Sequence, residues 1–141
     1  MKQLGKVKEI RSYKYVIKDD VTKASISDEH REFLDIIINE KYFKEVAAAY
    51  NFFVSYALSQ NIEICDDEIN KPRKSNIDDA DRKKFIDIID LIKGLYINSE
   101  QANKIPVRIM NALADFGIQK AMDDYWKEDS KELDMVRLLR R

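Results

Sequence analysis

Apolar residues along the chain fall into helical runs separated by polar breaks. Phe33, Leu34, Ile37 and Ile38 recur at i, i+3 and i+4, which predicts a first helix over Asp28–Asn39. Ser25 or Ser27 is placed to cap it, since a serine oxygen accepts from the free N–H groups of a first turn. Asp28, Glu29 and Glu32 suit the positive end of its dipole. A second helix is expected over Lys44–Gln60, with a stripe of Val46, Ala49, Tyr50, Phe53, Ala57 and Leu58. Ala47, Phe52, Val54 and Tyr56 leave it little polar surface, and a helix apolar nearly all round is buried or lies in an interface. Either the remaining chain or a second copy must therefore cover it. Asn61 suits a left-handed terminator.

Phe85, Ile88, Ile89, Ile92, Leu95 and Tyr96 form one face of a third helix, expected over Asp79–Ile97. Pro106 suits a first helical position, where its missing N–H costs nothing. From there Val107, Met110, Leu113, Ala114, Gly117, Ile118, Ala121, Met122 and Tyr125 keep helical spacing to about Trp126. Gly117 falls on the apolar face. Glycine costs about 1 kcal/mol against alanine in a helix, so this one is expected to admit a close neighbour. Ser130 can cap a last helical piece over 131–140. Ser12–Lys18, Ala24–Ser27 and Ile62–Ile64 read as short extended pieces, and Asp66–Asn76 as a polar loop. The expected fold is mainly α: a compact bundle of four or five helices with one or two short N-terminal strands. A basic segment over 1–22 precedes a single helical domain over 23–141.

Composition narrows the class. At 141 residues the chain matches one domain, large enough to bury a core without disulfides or metal. Charged residues make up 36% and hydrophobic ones 45%, which excludes a disordered tail. No apolar run reaches the roughly 18 residues a bilayer span needs, so no membrane partner is expected. The first residues lack the apolar region of a secretory signal. One cysteine fits a reducing, cytoplasmic setting.

The net charge of −1 hides an asymmetry. Residues 1–23 carry seven Lys or Arg against three acids, and the chain closes on Arg137, Arg140 and Arg141. Basic ends on a neutral body are compatible with nucleic-acid contact. Lys6, Lys8, Arg11, Lys14 and Lys23, with Lys71, Arg73 and Lys74 of the polar loop, are the candidate DNA-binding residues. A solvated surface accounts for the same pattern. The rings of Tyr50, Phe52, Phe53 and Tyr56 are candidates for core or for a homodimer interface.

Catalytic motifs are missing. There is no glycine-rich phosphate loop, no G-x-S-x-G and no H-E-x-x-H. His30 is the only histidine, so it reads as a surface or capping residue and not a metal ligand. Cys65 ends an apolar stretch and reads as a buried or incidental thiol and not a nucleophile. Asp78, Asp79, Asp81, Asp87 and Asp90 read as a solvated face without a calcium loop, with an acid–base site as the alternative. No cofactor is implied.

Two resemblances add to this. KASIS, DEHREFLDIII and FKEVAAAYNFFVSYAL look like a strand-helix-helix unit of the ribbon-helix-helix type. Such dimers pair their strands and read the major groove from that ribbon. From about Val21 to Trp126 the chain resembles the small Dnd system-associated proteins, encoded beside DNA phosphorothioation and restriction genes in bacteria. The resemblance is carried by the D-E-H helix (Ser27–Phe33), the Phe/Ala segment Phe43–Leu58, the apolar helix Phe85–Tyr96 and the closing A-D-F-G-I of Ala114–Ile118. That family has no catalytic motif to transfer. The resemblance implies a non-enzymatic accessory protein of a bacterial DNA-modification or anti-phage defence system, acting by binding DNA or a larger protein of the same system. The alternatives are a ribbon-helix-helix-like transcription regulator and a small enzyme using an Asp/Glu cluster.

Overall fold

A computed structural model describes residues 10–11, 18–60, 64–95, 103–127, 129 and 132–140. The fold is mainly α, with six helices among the described residues. In chain order the elements are β1 (Ile10–Arg11), β2 (Lys23–Ile26), α1 (Asp28–Asn39), α2 (Val46–Ser59), β3 (Ile64–Cys65) and α3 (Asp66–Asn70). There follow β4 (Ser75–Asp79), α4 (Lys83–Leu95), α5 (Pro106–Tyr125), β5 (Trp126–Lys127), β6 (Glu132–Leu133) and α6 (Met135–Arg140).

The centre is α2 against α5. Tyr50, Phe53, Val54 and Ala57 of α2 and Ile109, Met110, Leu113, Ala114 and Ile118 of α5 are fully buried. Gly117 is where the two backbones meet. A Cβ there would lie 2.1 Å from the Phe53 carbonyl oxygen and 3.0 Å from its carbon. The glycine expected to admit a close neighbour does so, and the neighbour is α2. Phe85 and Ile92 of α4 close one side, with Phe85 edge-on to Tyr50 at 5.5 Å. Phe33 of α1 packs edge-on against Phe53 and Trp126.

One small antiparallel sheet frames the candidate site. β2 pairs with β4 in the register Lys23↔Asp79, Ala24↔Asp78, Ser25↔Asn76 and Ile26↔Ser75, with an irregularity between Ala24 and Ser25. β1 pairs in parallel with β3, and β5 with β6 antiparallel. The stretch expected as the loop Asp66–Asn76 instead holds α3 and the start of β4. The third long helix begins at Lys83 and not Asp79, because Asp78 and Asp79 are held in β4 by their pairing with β2. Within the expected N-terminal segment, the Lys18 N–H donates to Asn70 Oδ1 (2.9 Å), and Asp20 caps α5 by accepting from the Val107 and Arg108 N–H groups. Residues 18–22 are thus bonded to the helical domain. No helix among the described residues is long and apolar enough to cross a membrane.

Candidate nucleic-acid interface

Helix α5 carries three polar residues four apart, Asn111, Asp115 and Gln119, which this spacing places on one face. The first two are buried. A buried amide or carboxylate is costly unless its hydrogen bonds are made, and here they hold β2 and the start of α1. Asn111 Oδ1 accepts from the Ser25 N–H (2.9 Å) and the Tyr50 hydroxyl (2.6 Å), while its Nδ2 donates to the Lys23 carbonyl (3.1 Å). Burial pushes the Tyr50 phenol well above its ordinary range and keeps it a donor.

Asp115 is the hub. Its Oδ1 accepts from the Ser27 N–H (3.0 Å) and faces His30 Nδ1 at 2.7 Å; its Oδ2 accepts from the Ser27 hydroxyl (2.9 Å) and from Arg73 Nε. Burial alone would raise this carboxyl. The bonds from His30 and the Ser27 N–H, with the Arg73 charge, outweigh it and lower the carboxyl to about 2.

Gln119 completes the set. Its Nε2 donates to Asp123 (2.9 Å), which turns its Oε1 towards His30 Nε2 at 3.0 Å. Both imidazole nitrogens therefore face acceptors, the arrangement that a doubly protonated ring satisfies. Burial lowers the His30 pKa, but its bonds to Asp115 and Gln119 and the Asp115 charge more than offset this, and the net direction is upward. His30, expected at the surface or in a cap, is 6% exposed. Ser27 sits at the expected N-cap position but makes no side-chain cap bond, because its hydroxyl goes to Asp115.

Serine, histidine and aspartate in contact do not make a nucleophile here. The Ser27 hydroxyl donates to the carboxylate and His30 Nε2 is held by Gln119, so the ring is not placed to take the serine proton.

The hub's outer partner is Arg73, whose side chain is 4% exposed. Its Nη1 donates to the carbonyls of Glu68 (2.9 Å) and Lys71 (3.1 Å). So fixed, Arg73 forms part of the wall of a cleft of about 360 Å³. Lys18, Lys23, Lys71, Arg73 and Arg108 line this cleft, and no carboxylate does. Lys23 is paired with Asp79 and Arg73 with Asp115, while Lys18, Lys71 and Arg108 have no acidic partner among the described residues. Arg108 Nε donates to the Asp19 carbonyl, which fixes its stem.

Of the candidate DNA-binding residues, Lys23, Lys71 and Arg73 are brought to one cleft. Lys74 is exposed and outside its lining. Lys6, Lys8 and Lys14 lie outside the described residues, and Arg11 is placed in the backbone pairing of β1 with β3. Lys18 and Arg108 join the cleft without having been singled out. Arg108 carried a signal: a cation in the first turn of a helix opposes the dipole and needs another reason to be there.

The proposed interface rings are used within the chain. Tyr50 and Phe53 are fully buried, Tyr56 is 2% exposed, and Phe52 is half-buried against Phe53 (5.1 Å) and Phe43 (5.4 Å). Of the two expected sources of cover, the remaining chain and a second copy, the chain's own helices α4 and α5 pack on α2. The strand of the ribbon-helix-helix resemblance likewise pairs with β4 of its own chain, and Asn111 of α5 holds its Ser25 N–H. Its side chains Ala24, Ser25 and Ile26 are buried, so they are not placed to read bases.

Among the acids, Asp79 and Asp81 line a second, shallower depression of about 440 Å³. Asp79 is held by Lys23, Asp81 is exposed, and Asp78 pairs with Arg82 and Lys84. The burial that separates one carboxyl into an acid and another into a base is missing. Glu63, the glutamate of the Asp/Glu alternative, lies outside the described residues. Among the described residues no group of three or more His, Cys, Asp or Glu is placed to hold a metal ion. Comparison with family models, with curated proteins and with solved structures found no match to this chain.

Proposed function

We propose that the protein is a non-enzymatic accessory protein of a bacterial DNA-modification or anti-phage system, and that it acts by binding DNA phosphate in the cleft around Arg73. The observation that carries the DNA contact is the grouping of five cations, with no carboxylate, around one cavity. Three of them are left without an acidic partner among the described residues, in a chain whose net charge is −1. Charge gathered against the average composition, with Arg73 locked by a buried carboxylate, fits a preorganised anion site. The cellular setting comes from the resemblance to the Dnd system-associated proteins.

The test is fluorescence anisotropy across a salt series, with plain and phosphorothioated DNA, each as single strand and duplex. Neutralising three phosphates implies a log–log salt slope of roughly −2 to −3. A preference for the phosphorothioated strands ties the protein to modified DNA. No binding of any form at low salt retires the DNA reading and points to a larger protein partner.

A further inference from the structure

The shape of the cleft says more than its charge, and the occupant it selects rests on the DNA reading of those cations. Duplex DNA is read by an element that stands out from a protein and enters a groove about 12 Å wide. Here the cations do the reverse and surround a hollow. Its volume of about 360 Å³ lies at the low end of the range for small-molecule sites, roughly 300–1,000 Å³. That is room for one unit of a strand and not for a stretch of double helix.

The lining is graded in depth. Lys18, Lys71 and Pro72 are exposed and form the rim, whereas Ser25, Ile69 and Asn111 are buried and form the floor. Asn76, in register with Ser25, is exposed and stands at the rim with the cations. The Ser25 hydroxyl donates to Asn76 Oδ1 (2.7 Å), which fixes the amide and leaves its N–H₂ as a donor. Cations at the rim match a phosphate, an oriented amide matches the edge of a base, and the exposed apolar surface of Pro72 matches a ring face.

We infer that the cleft takes a single unpaired nucleotide of a DNA strand, at an end or turned out of a duplex, with its phosphate on Lys18, Lys71 and Arg108 and its base edge on Asn76.

The experiment measures anisotropy of the intact protein with a blunt duplex, the same duplex bearing a single-stranded tail, and the tail strand alone. The tailed duplex and the single strand are expected to bind roughly tenfold more tightly than the blunt duplex, a difference of about 1.4 kcal/mol. Asn76→Ala should reduce that preference to about twofold, and Lys71→Gln serves as the second variant by weakening the tailed form. Equal binding of blunt and tailed forms overturns the inference and leaves the DNA reading in place. A preference undiminished by both variants overturns it too. Displacement of the strand by equimolar free nucleoside monophosphate assigns the cleft to free nucleotides instead. No binding of any form overturns both readings.

Discussion

The two faces of α5 are built on opposite principles. One meets α2 at Gly117, beside the buried Ala114, Ile118 and Ala121, with no side chain at the closest point and the Phe53 carbonyl against the helix. The other meets β2 and α1 through Asn111, Asp115 and Gln119, whose bonds reach residues 85 to 89 positions away. The apolar face is held by shape, and any apolar neighbour of the right volume satisfies it. The polar face is held by particular donors and acceptors, so losing one member leaves others unsatisfied. The face that demands exact partners is the one beside the cleft, where Arg73 must be kept in place.

The largest effect expected on this contrast comes from the hub. Asp115→Asn removes the carboxylate that faces both Arg73 and His30 and sets an amide N–H₂ against one of them. Breaking a buried pair from one side costs about 3–5 kcal/mol, read as a lower urea midpoint with the slope unchanged. A loss below about 1 kcal/mol would show that the polar face is ornament and the apolar face carries the helix alone.

The same substitution at two glycines probes the apolar face. Gly117→Ala gains about 1 kcal/mol of helix propensity, but its Cβ would sit 2.1 Å from the Phe53 oxygen, so two helix backbones must separate. Overpacking costs typically 1–3 kcal/mol, and more where backbone must move; the expected net is a loss of about 2 kcal/mol. At Gly94, in α4, nothing lies within 4 Å of an added Cβ. Gly94→Ala should therefore stabilise the protein, by up to about 1 kcal/mol. Thermal unfolding of both variants tests the pair, and shifts of the same sign would refute the close approach of α2 and α5.

This division also explains what the sequence discloses. Helix α1 has the ends that its apolar spacing and acidic first turn predict, Asp28–Asn39, and α5 follows the run that starts at Pro106. Gly117 is legible because a glycine on an apolar stripe has few other uses. The polar face obeys no local rule. Nothing in the local sequence marks Asn111, Asp115 and Gln119; their partners Ser25, Ser27, His30 and Arg73 are brought to them by the fold. β4 is hidden for the same reason: S-N-I-D-D has little apolar alternation, and its strand character comes from pairing with β2 some fifty residues earlier. The cleft mixes both cases. Lys71 and Arg73 stand out as a basic cluster, whereas Lys18 and Arg108 belong to it only through Asp19, Asp20 and Asn70, which tie the N-terminal segment to α3 and α5.

The smallest effect is a matter of pH, and it separates the two faces because only one of them titrates. The Asp115 carboxyl lies at about 2 against 3.8 when free. Its contribution is complete above the free value and is lost as pH falls from 3.8 towards 2. The His30 pKa lies above its free value of 6.5. Its contribution is complete below 6.5 and is lost as pH rises through the folded value. The polar face is therefore strongest between about pH 4 and 6.5, and it weakens on the alkaline side first at His30. With a single histidine in the chain, one imidazole NMR resonance reports that group directly, and its midpoint is expected above 6.5. The urea midpoint of His30→Gln should approach that of the unaltered protein as pH rises past this point, while Gly117→Ala should differ from it by the same amount at every pH. A histidine midpoint below 6.5 would mean that the ring is neutral in the fold, with one nitrogen left without a donor proton for its acceptor, and that Asp115 is balanced by Arg73 alone.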